Sequence, residues 1–408
     1  MTSSTQEAYR PLWILGLSVA QLISWGSIFY LMALLLEPVE RDLGLSRVQT
    51  SLAVSLALLV EGVAAYPVGR WIDRGHERAV MVGGSVLAAV CLGAHRWVAG
   101  AAGFYALWAG LGAAMACVLY TPVFAVVTRR FPAHFRRGII TMTFLGGLAS
   151  TVFIPLSDWL IRHWGWRDAL GALALLHLLV CVPLHAVLLR QAPGRPGVCP
   201  AHAALPDGDA AAQRLALMRS PPFQRVAAFL LLMTVATAAL PVHMISLLRE
   251  HALPAVWVVA VPALIGVFQV LGRLLLYFFE RHLDVHAANR VIPALIPMGL
   301  AALLVSPWLG SAHQTVVVVF VVLFGMGNGM LTIVKGTAMA QYVSARHVAS
   351  LQGVLGLPLA LVRAGAPLAV GWGWSQLGTY TGALAVLVLL TSAGVWALVR
   401  AQSVRARG

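Results

Sequence analysis

Residues 314–341 read QTVVVVFVVLFGMGNGMLTIVKGTAMAQ, and this stretch decides the fold. From Gln314 to Val334 it carries no charge. An uncharged run of that length lets an α-helix cross a hydrocarbon core of about 30 Å. Then comes Lys335, the only lysine in the chain, with more apolar sequence beyond it. A charge in that setting costs about 2.5–3.5 kcal/mol on insertion scales, so it faces a bundle interior or a water-filled path. The stretch predicts a membrane helix that lines something polar. Asn328, Thr332, Lys335 and Met339 recur at helical spacing and share one face. Gly325, Gly327, Gly329 and Gly336 let neighbouring backbones come close.

The rest of the chain extends this pattern. Of its 408 residues, 60% are hydrophobic and 10% charged, and the mean hydropathy is +0.85. A soluble domain is about 25% charged. Apolar runs predict twelve spans, near 12–36, 48–70, 79–95, 102–127, 138–158, 168–189, 223–248, 255–279, 289–308, 314–341, 349–371 and 380–400. The expected fold class is an all-α membrane protein: twelve transmembrane helices in two six-helix bundles related by an internal repeat. The expected organisation is an N-terminal bundle over 1–189, a Pro-, Gly- and Ala-rich cytoplasmic linker over 190–222, and a C-terminal bundle over 223–408. At an offset of 215, Gly110 and Gly112 meet Gly325 and Gly327, and Lys335 meets Tyr120.

The net charge of +14 is a matter of topology. With both termini cytoplasmic, the inner segments hold nineteen arginines and the outer loops six, in accord with the positive-inside rule. No nucleic-acid module is present. Arginine- and alanine-rich usage suggests a bacterial inner membrane, and the protein is expected to work as a monomer in the bilayer. Cys91, Cys117 and Cys181 lie in apolar helices. Cys199 and His202 form a weak pair in the linker without further metal ligands. No nucleophile–base set or nucleotide loop appears, so neither an enzyme nor a primary pump is expected, and no cofactor.

By this point the chain resembles the major facilitator superfamily over its whole length. Gly69-Arg-Trp-Ile-Asp73-Arg74-Gly-His-Glu-Arg78 is similar to that family's signature between helices 2 and 3, with His76 where a second glycine would stand. Gly365-Ala-Pro367, Gly371, Gly378-Thr-Tyr380 and Trp164-Gly-Trp-Arg167 are also family-like. The resemblance implies that Gly69, Asp73, Arg74 and Arg78 form a conformational loop. Gln269-Val-Leu-Gly272-Arg273 resembles the monocarboxylate and oxalate/formate antiporter group. In that group a helix-8 arginine contacts the substrate carboxylate, and oxalate carriers add a helix-11 lysine. This chain has Arg363 in helix 11 and Lys335 in helix 10.

Three intramembrane cations, Arg273, Lys335 and Arg363, stand against one intramembrane carboxylate, Glu61. Two positive charges are left over, so the expected substrate is a small organic anion. Guanidinium forks suit carboxylates bidentately, and the ammonium acts as a point charge. Arg273 lies roughly 9 Å from its helix end, so a gate pairing is an alternative there. Glu61 is expected either to balance charge or to take up a proton. Further candidate contacts are Gln269, Asn328, Thr332, Gln21, Trp25, Tyr120 and His243. Efflux of amphipathic compounds is the alternative function, supported by the aromatic residues of helices 1 and 4. A transport-dead membrane sensor is a remote one, for which the linker and ends offer no output domain.

Overall fold

The computed structural model describes residues 11–131, 135–190, 215–279, 284–344 and 348–405. The Cys199–His202 pair, residues 191–214 of the linker, Arg281 and Arg346 lie outside the described residues.

Among the described residues, ten helical runs are long and apolar enough to cross a membrane. Eight are single crossings: α1 (Pro11–Leu43), α2 (Arg47–Asp73), α3 (Glu77–Ala94), α4 (Ala101–Arg130), α7 (Pro221–Glu250), α8 (Ala255–Phe279), α11 (Val348–Leu377) and α12 (Thr381–Arg405). The other two are 51 and 58 residues long. As straight helices they would reach roughly 75 and 85 Å at 1.5 Å per residue, far beyond the bilayer. Each is broken at a left-handed glycine, Gly165 (φ 77°) and Gly310 (φ 53°). The breaks yield α5 (135–164), α6 (166–188), α9 (Val285–Val305) and α10 (His313–Tyr342). Twelve crossings result. The first runs past its expected end at 36 and stops only at Gly44, whose φ is 65°. A left-handed residue of this kind lets a helix terminate.

Contacts divide the chain into two compact units, Met1–Cys199 and Pro200–Gly408, holding α1–α6 and α7–α12. Local sequence sets the helix starts. Ser46 and Gln49 form a reciprocal capping box at α2. Ser220 followed by Pro221 opens α7. Asp284 caps α9 by accepting from the Ala287 N–H at 2.8 Å.

Each unit is drawn together by glycines on its fourth helix. In unit 1 a Cβ on Gly112 of α4 would collide with the Ala57 carbonyl oxygen of α2. One on Gly110 would sit 2.5 Å from Cys91 Sγ of α3. In unit 2 a Cβ on Gly329 of α10 would collide with the Gln269 carbonyl oxygen of α8, and one on Gly327 would sit 2.8 Å from Leu295 Cβ of α9. Glycines two apart thus admit the same two neighbours in both units. The contacts correct the repeat register here: the offset is 217 rather than 215, and Lys335 corresponds to Val118, not Tyr120. The sequence offers three glycines at spacing two, and only their neighbours tell them apart.

Candidate functional site

Among the described residues of unit 2, Arg273, Lys335 and Arg363 are the charged side chains that lie well inside the spanning helices, whereas Arg225, Arg249, Glu250, Arg290 and Arg400 stand near helix ends. Lys335 of α10 is partly buried, and its Nζ donates to Thr234 Oγ1 (3.3 Å) and Thr237 Oγ1 (3.4 Å) of α7. Both hydroxyls give their own protons back to the helix, Thr234 to the Leu230 carbonyl and Thr237 to that of Met233. Their lone pairs are therefore what the ammonium meets. Pro241 has no N–H, so the Thr237 carbonyl loses its helical donor as well. Arg363 of α11 acts electrostatically on Lys335, so two cations share one neighbourhood. Pro367 likewise removes the helical donor of the Arg363 carbonyl.

Arg273 of α8 donates from Nε to the Gly329 carbonyl of α10 at 3.2 Å. That carbonyl also accepts from Thr332 Oγ1 at 2.9 Å. Gly329 precedes Lys335 by about 9 Å of helix rise. Arg273, Thr332, Lys335 and Arg363 thus belong to one α7–α8–α10–α11 region. Asn328 is half-buried on the same helix, and Gln269 is buried with its backbone against Gly329. His243 is more enclosed, at 1% exposure. Its Nε2 faces the Pro367 carbonyl at 2.9 Å and its Nδ1 the Tyr380 hydroxyl at 3.1 Å. A carbonyl only accepts, so Nε2 carries the proton and the ring ties α7 to α11 and to Tyr380 just before α12.

Unit 1 supplies an aromatic cluster. Residues Trp25–Tyr30 of α1 form a π-helical turn. Trp25 packs on Tyr120 (centroids 4.9 Å) and edge-on to Phe29 (5.2 Å), and Tyr120 stacks on Phe124 (5.0 Å). Tyr120 begins the second half of α4, which breaks at Leu119. Gln21 is fully buried and donates to the Val118 carbonyl at 2.5 Å. Pro122 deprives that carbonyl of its helical donor, so Gln21 stabilises the break. Glu61 is half-buried on α2, one turn beyond Ala57.

Around the turn between α2 and α3, Asp73, Arg74 and Arg78 are exposed and Gly69 is half-buried. The buried acid is one that sequence reading missed. Glu77, 2% exposed, pairs with Arg129 (3.5 Å) and Arg130 (3.6 Å) at the end of α4. Arg129 also donates to the Ile72 carbonyl. Arg130 lies over Trp13, and both donate to the Leu188 carbonyl. Five helix ends are gathered there. An arginine pair closing α4 and an acid opening α3 were the available signal.

The two other family-like stretches each hold an acid at a helix end. Asp42, ending α1, accepts from Trp166 Nε1 at 3.0 Å and pairs with Arg167. Glu250, ending α7, accepts from Trp374 Nε1 (3.0 Å), Thr379 Oγ1 (2.5 Å) and the Tyr380 N–H (2.7 Å). In both units the hairpin between the last two helices is fastened to the end of the first.

The sequence profile described as Major Facilitator Superfamily matches residues 17–367. Monocarboxylate transporter 13 of Bos taurus is 26% identical over 260 residues, which cover 59% of this chain and 56% of that protein. The chain thus spans little more than half the length of that curated relative. The nucleoside transporter NupG superposes with a TM-score of 0.74 at 13% identity, covering 96% of this chain and 99% of that one. A bacterial homologue of the human drug peptide transporters PepT1 and PepT2 gives 0.71 at 11% identity, over 97% and 98%. A bacterial homologue of the human lysosomal transporter Spinster, inward-facing and occupied, gives 0.66 at 14%, over 97% and 94%. At these identities the likenesses establish the fold.

Proposed function

From the premise that this chain belongs to the major facilitator superfamily and is a secondary transporter, we propose that its cargo is a small organic anion, a carboxylate or similar oxyanion. One observation carries this reading: Arg273, Lys335 and Arg363 lie well inside the spanning helices of unit 2, the first donating to a backbone carbonyl and the second to two threonine hydroxyls, and among the described residues of that unit no carboxylate lies as far from a helix end. The resemblance to monocarboxylate carriers points the same way. Lys335 and Arg363 are the principal attractors, Arg273 sits one helix away, and Asn328 and Thr332 line the same stretch of α10.

Transport proceeds by alternating access across a bacterial inner membrane, with both termini cytoplasmic and the monomer as the working unit. Drawing a monoanion inward against a potential of about 100 mV costs about 2.3 kcal/mol, which proton symport or exchange offsets. Glu61 is the assigned coupling or charge-balancing group. The Gly69–Arg78 segment is assigned a conformational role. Uptake of small carboxylates into proteoliposomes under an imposed pH gradient tests the reading. Activity in wild type and its loss in Arg363→Gln support it, and uptake unchanged by that substitution contradicts it. The aromatic cluster around Trp25 favours a second reading, export of amphipathic compounds, which protection of growing cells against toxicants would reveal.

A further inference from the structure

We propose that His177 Nδ1 is a reversible proton-binding site inside unit 1, and that the proton it takes up controls the two π-helical segments of that unit. Ser27 Oγ lies 2.6 Å from the Ile23 carbonyl and 2.7 Å from His177 Nε2. The carbonyl can only accept, so the single hydroxyl proton of Ser27 goes to Ile23. Ser27 therefore accepts from the ring, and Nε2 carries the imidazole proton. Nδ1 is left with a bare lone pair. It is sealed from solvent and has no hydrogen-bond partner among the described residues.

The location gives this base a consequence. Trp25–Tyr30 of α1 and His177–Cys181 of α6 are both π-helical, and the Ser27–His177 bond joins them. Isolated π turns of this kind concentrate at functional sites. Pro183 cannot donate to the Leu179 carbonyl, which accounts for the irregular register in α6. The α1 segment also carries Trp25, whose ring rests on Tyr120, and Gly26, where a Cβ would strike the Phe153 ring of α5. Any shift at Ser27 is therefore felt by the aromatic cluster.

The ionisable surroundings are sparse. On α6, His185 acts on His177 electrostatically and is itself bonded to Ser85 of α3 at 2.8 Å. Cys181 meets Ser24 of α1. From α1 come the hydroxyls of Ser24 and Ser27, and that helix has no acidic residue before Glu37. From α5 the neighbour of the π segment is Phe153.

A proton from water adds to the Nδ1 lone pair, Nε2–H stays on Ser27, no bond breaks, and the ring gains one positive charge. No carboxylate among these neighbours offsets that charge, so protonation selects an arrangement in which the segments part and admit water. The site stands on unit 1 alone and does not depend on the anion assignment.

Hydrogen–deuterium exchange of the purified protein between about pH 5 and 8, corrected for intrinsic rates, tests it without any substrate. His177→Gln keeps a donor for Ser27 and removes the base. Ser27→Ala keeps the base and frees the segment. Glu61→Gln removes the other candidate proton carrier. In wild type, protection of residues 25–30 and 177–181 should fall as pH falls, by up to about tenfold per pH unit for one linked proton. His177→Gln should show no such pH dependence and Glu61→Gln should retain it. Ser27→Ala should exchange faster at every pH and keep the response. A wild type without pH response, or a His177→Gln variant that keeps it, overturns the proposal. If His177→Gln does not fold, loss of the pH response in Ser27→Ala overturns it instead.

Discussion

Glu61 and Arg273 occupy corresponding positions in the two units. Each lies one helical turn after the residue, Ala57 or Gln269, whose carbonyl oxygen presses on the glycine of a close crossing, Gly112 or Gly329. A carboxylate in one repeat thus stands where a guanidinium stands in the other. The architecture is kept and the charge is reversed.

Removing the Arg273 guanidinium should leave the fold intact. Its Nε bond goes to a carbonyl that also accepts from Thr332, so Arg273→Gln leaves no orphaned acceptor there. A thermal-unfolding change equivalent to about 1 kcal/mol is expected, together with a large loss of carboxylate uptake. A variant that unfolds instead would make Arg273 structural.

The glycine crossings should tolerate no side chain. Gly112→Ala or Gly329→Ala puts a methyl group against a backbone oxygen and should destabilise by about 1–3 kcal/mol. Gly336 has no neighbour within 4 Å of where its Cβ would stand. Gly336→Ala should therefore be neutral or gain up to about 1 kcal/mol from helix propensity. Comparing apparent Tm values of the three variants checks this.

Glu77 rather than Asp73 should matter for stability. Glu77→Gln leaves Arg129 and Arg130 without their buried partner. Breaking such a pair costs about 3–5 kcal/mol. Asp73 is exposed. Asp73→Asn should therefore change stability by at most about 0.5 kcal/mol. Yield of folded protein and Tm separate the two.

His251, just past α7, predicts an acid-sensitive contribution. Burial pushes its basicity down, Glu250 pushes it up, and the neighbouring His313 pushes it down again. The net pKa is lowered, so the unfolded chain binds the proton more readily. The stability contribution is therefore full above the ordinary histidine value of about 6.5 and is lost as pH falls through it toward the folded pKa. Lowering the pH from about 7.5 to 5 should depress Tm in wild type more than in His251→Gln. Equal depression would contradict it.

Much of this was legible in the sequence because the bilayer sets a length that apolar runs must meet. Twelve crossings followed from it, and Lys335, Arg273 and Arg363 were conspicuous as charges within those runs. What escaped was decided by backbone groups that composition does not display. Gln21 reads as one face of helix 1, yet it serves the carbonyl that Pro122 leaves without a donor. His243 reads as a candidate substrate contact, and the structure adds that it bonds the Pro367 carbonyl of α11 and Tyr380 just before α12. Asp73 and its arginines drew attention to the loop, whereas the buried acid is Glu77. The Ser27–His177 bond joins residues 150 apart, and no local pattern announces it.

The central claim is that unit 2 holds an anion, and thermal stabilisation of the purified protein by a panel of small carboxylates and oxyanions tests it most directly. A ligand at one hundred times its Kd stabilises the folded state by about 2.7 kcal/mol. The account predicts that at least one such anion raises the Tm of wild type and fails to raise that of Arg363→Gln. A wild type stabilised by no anion, but by amphipathic cations or neutral compounds, would contradict it and recast the three intramembrane cations as structural.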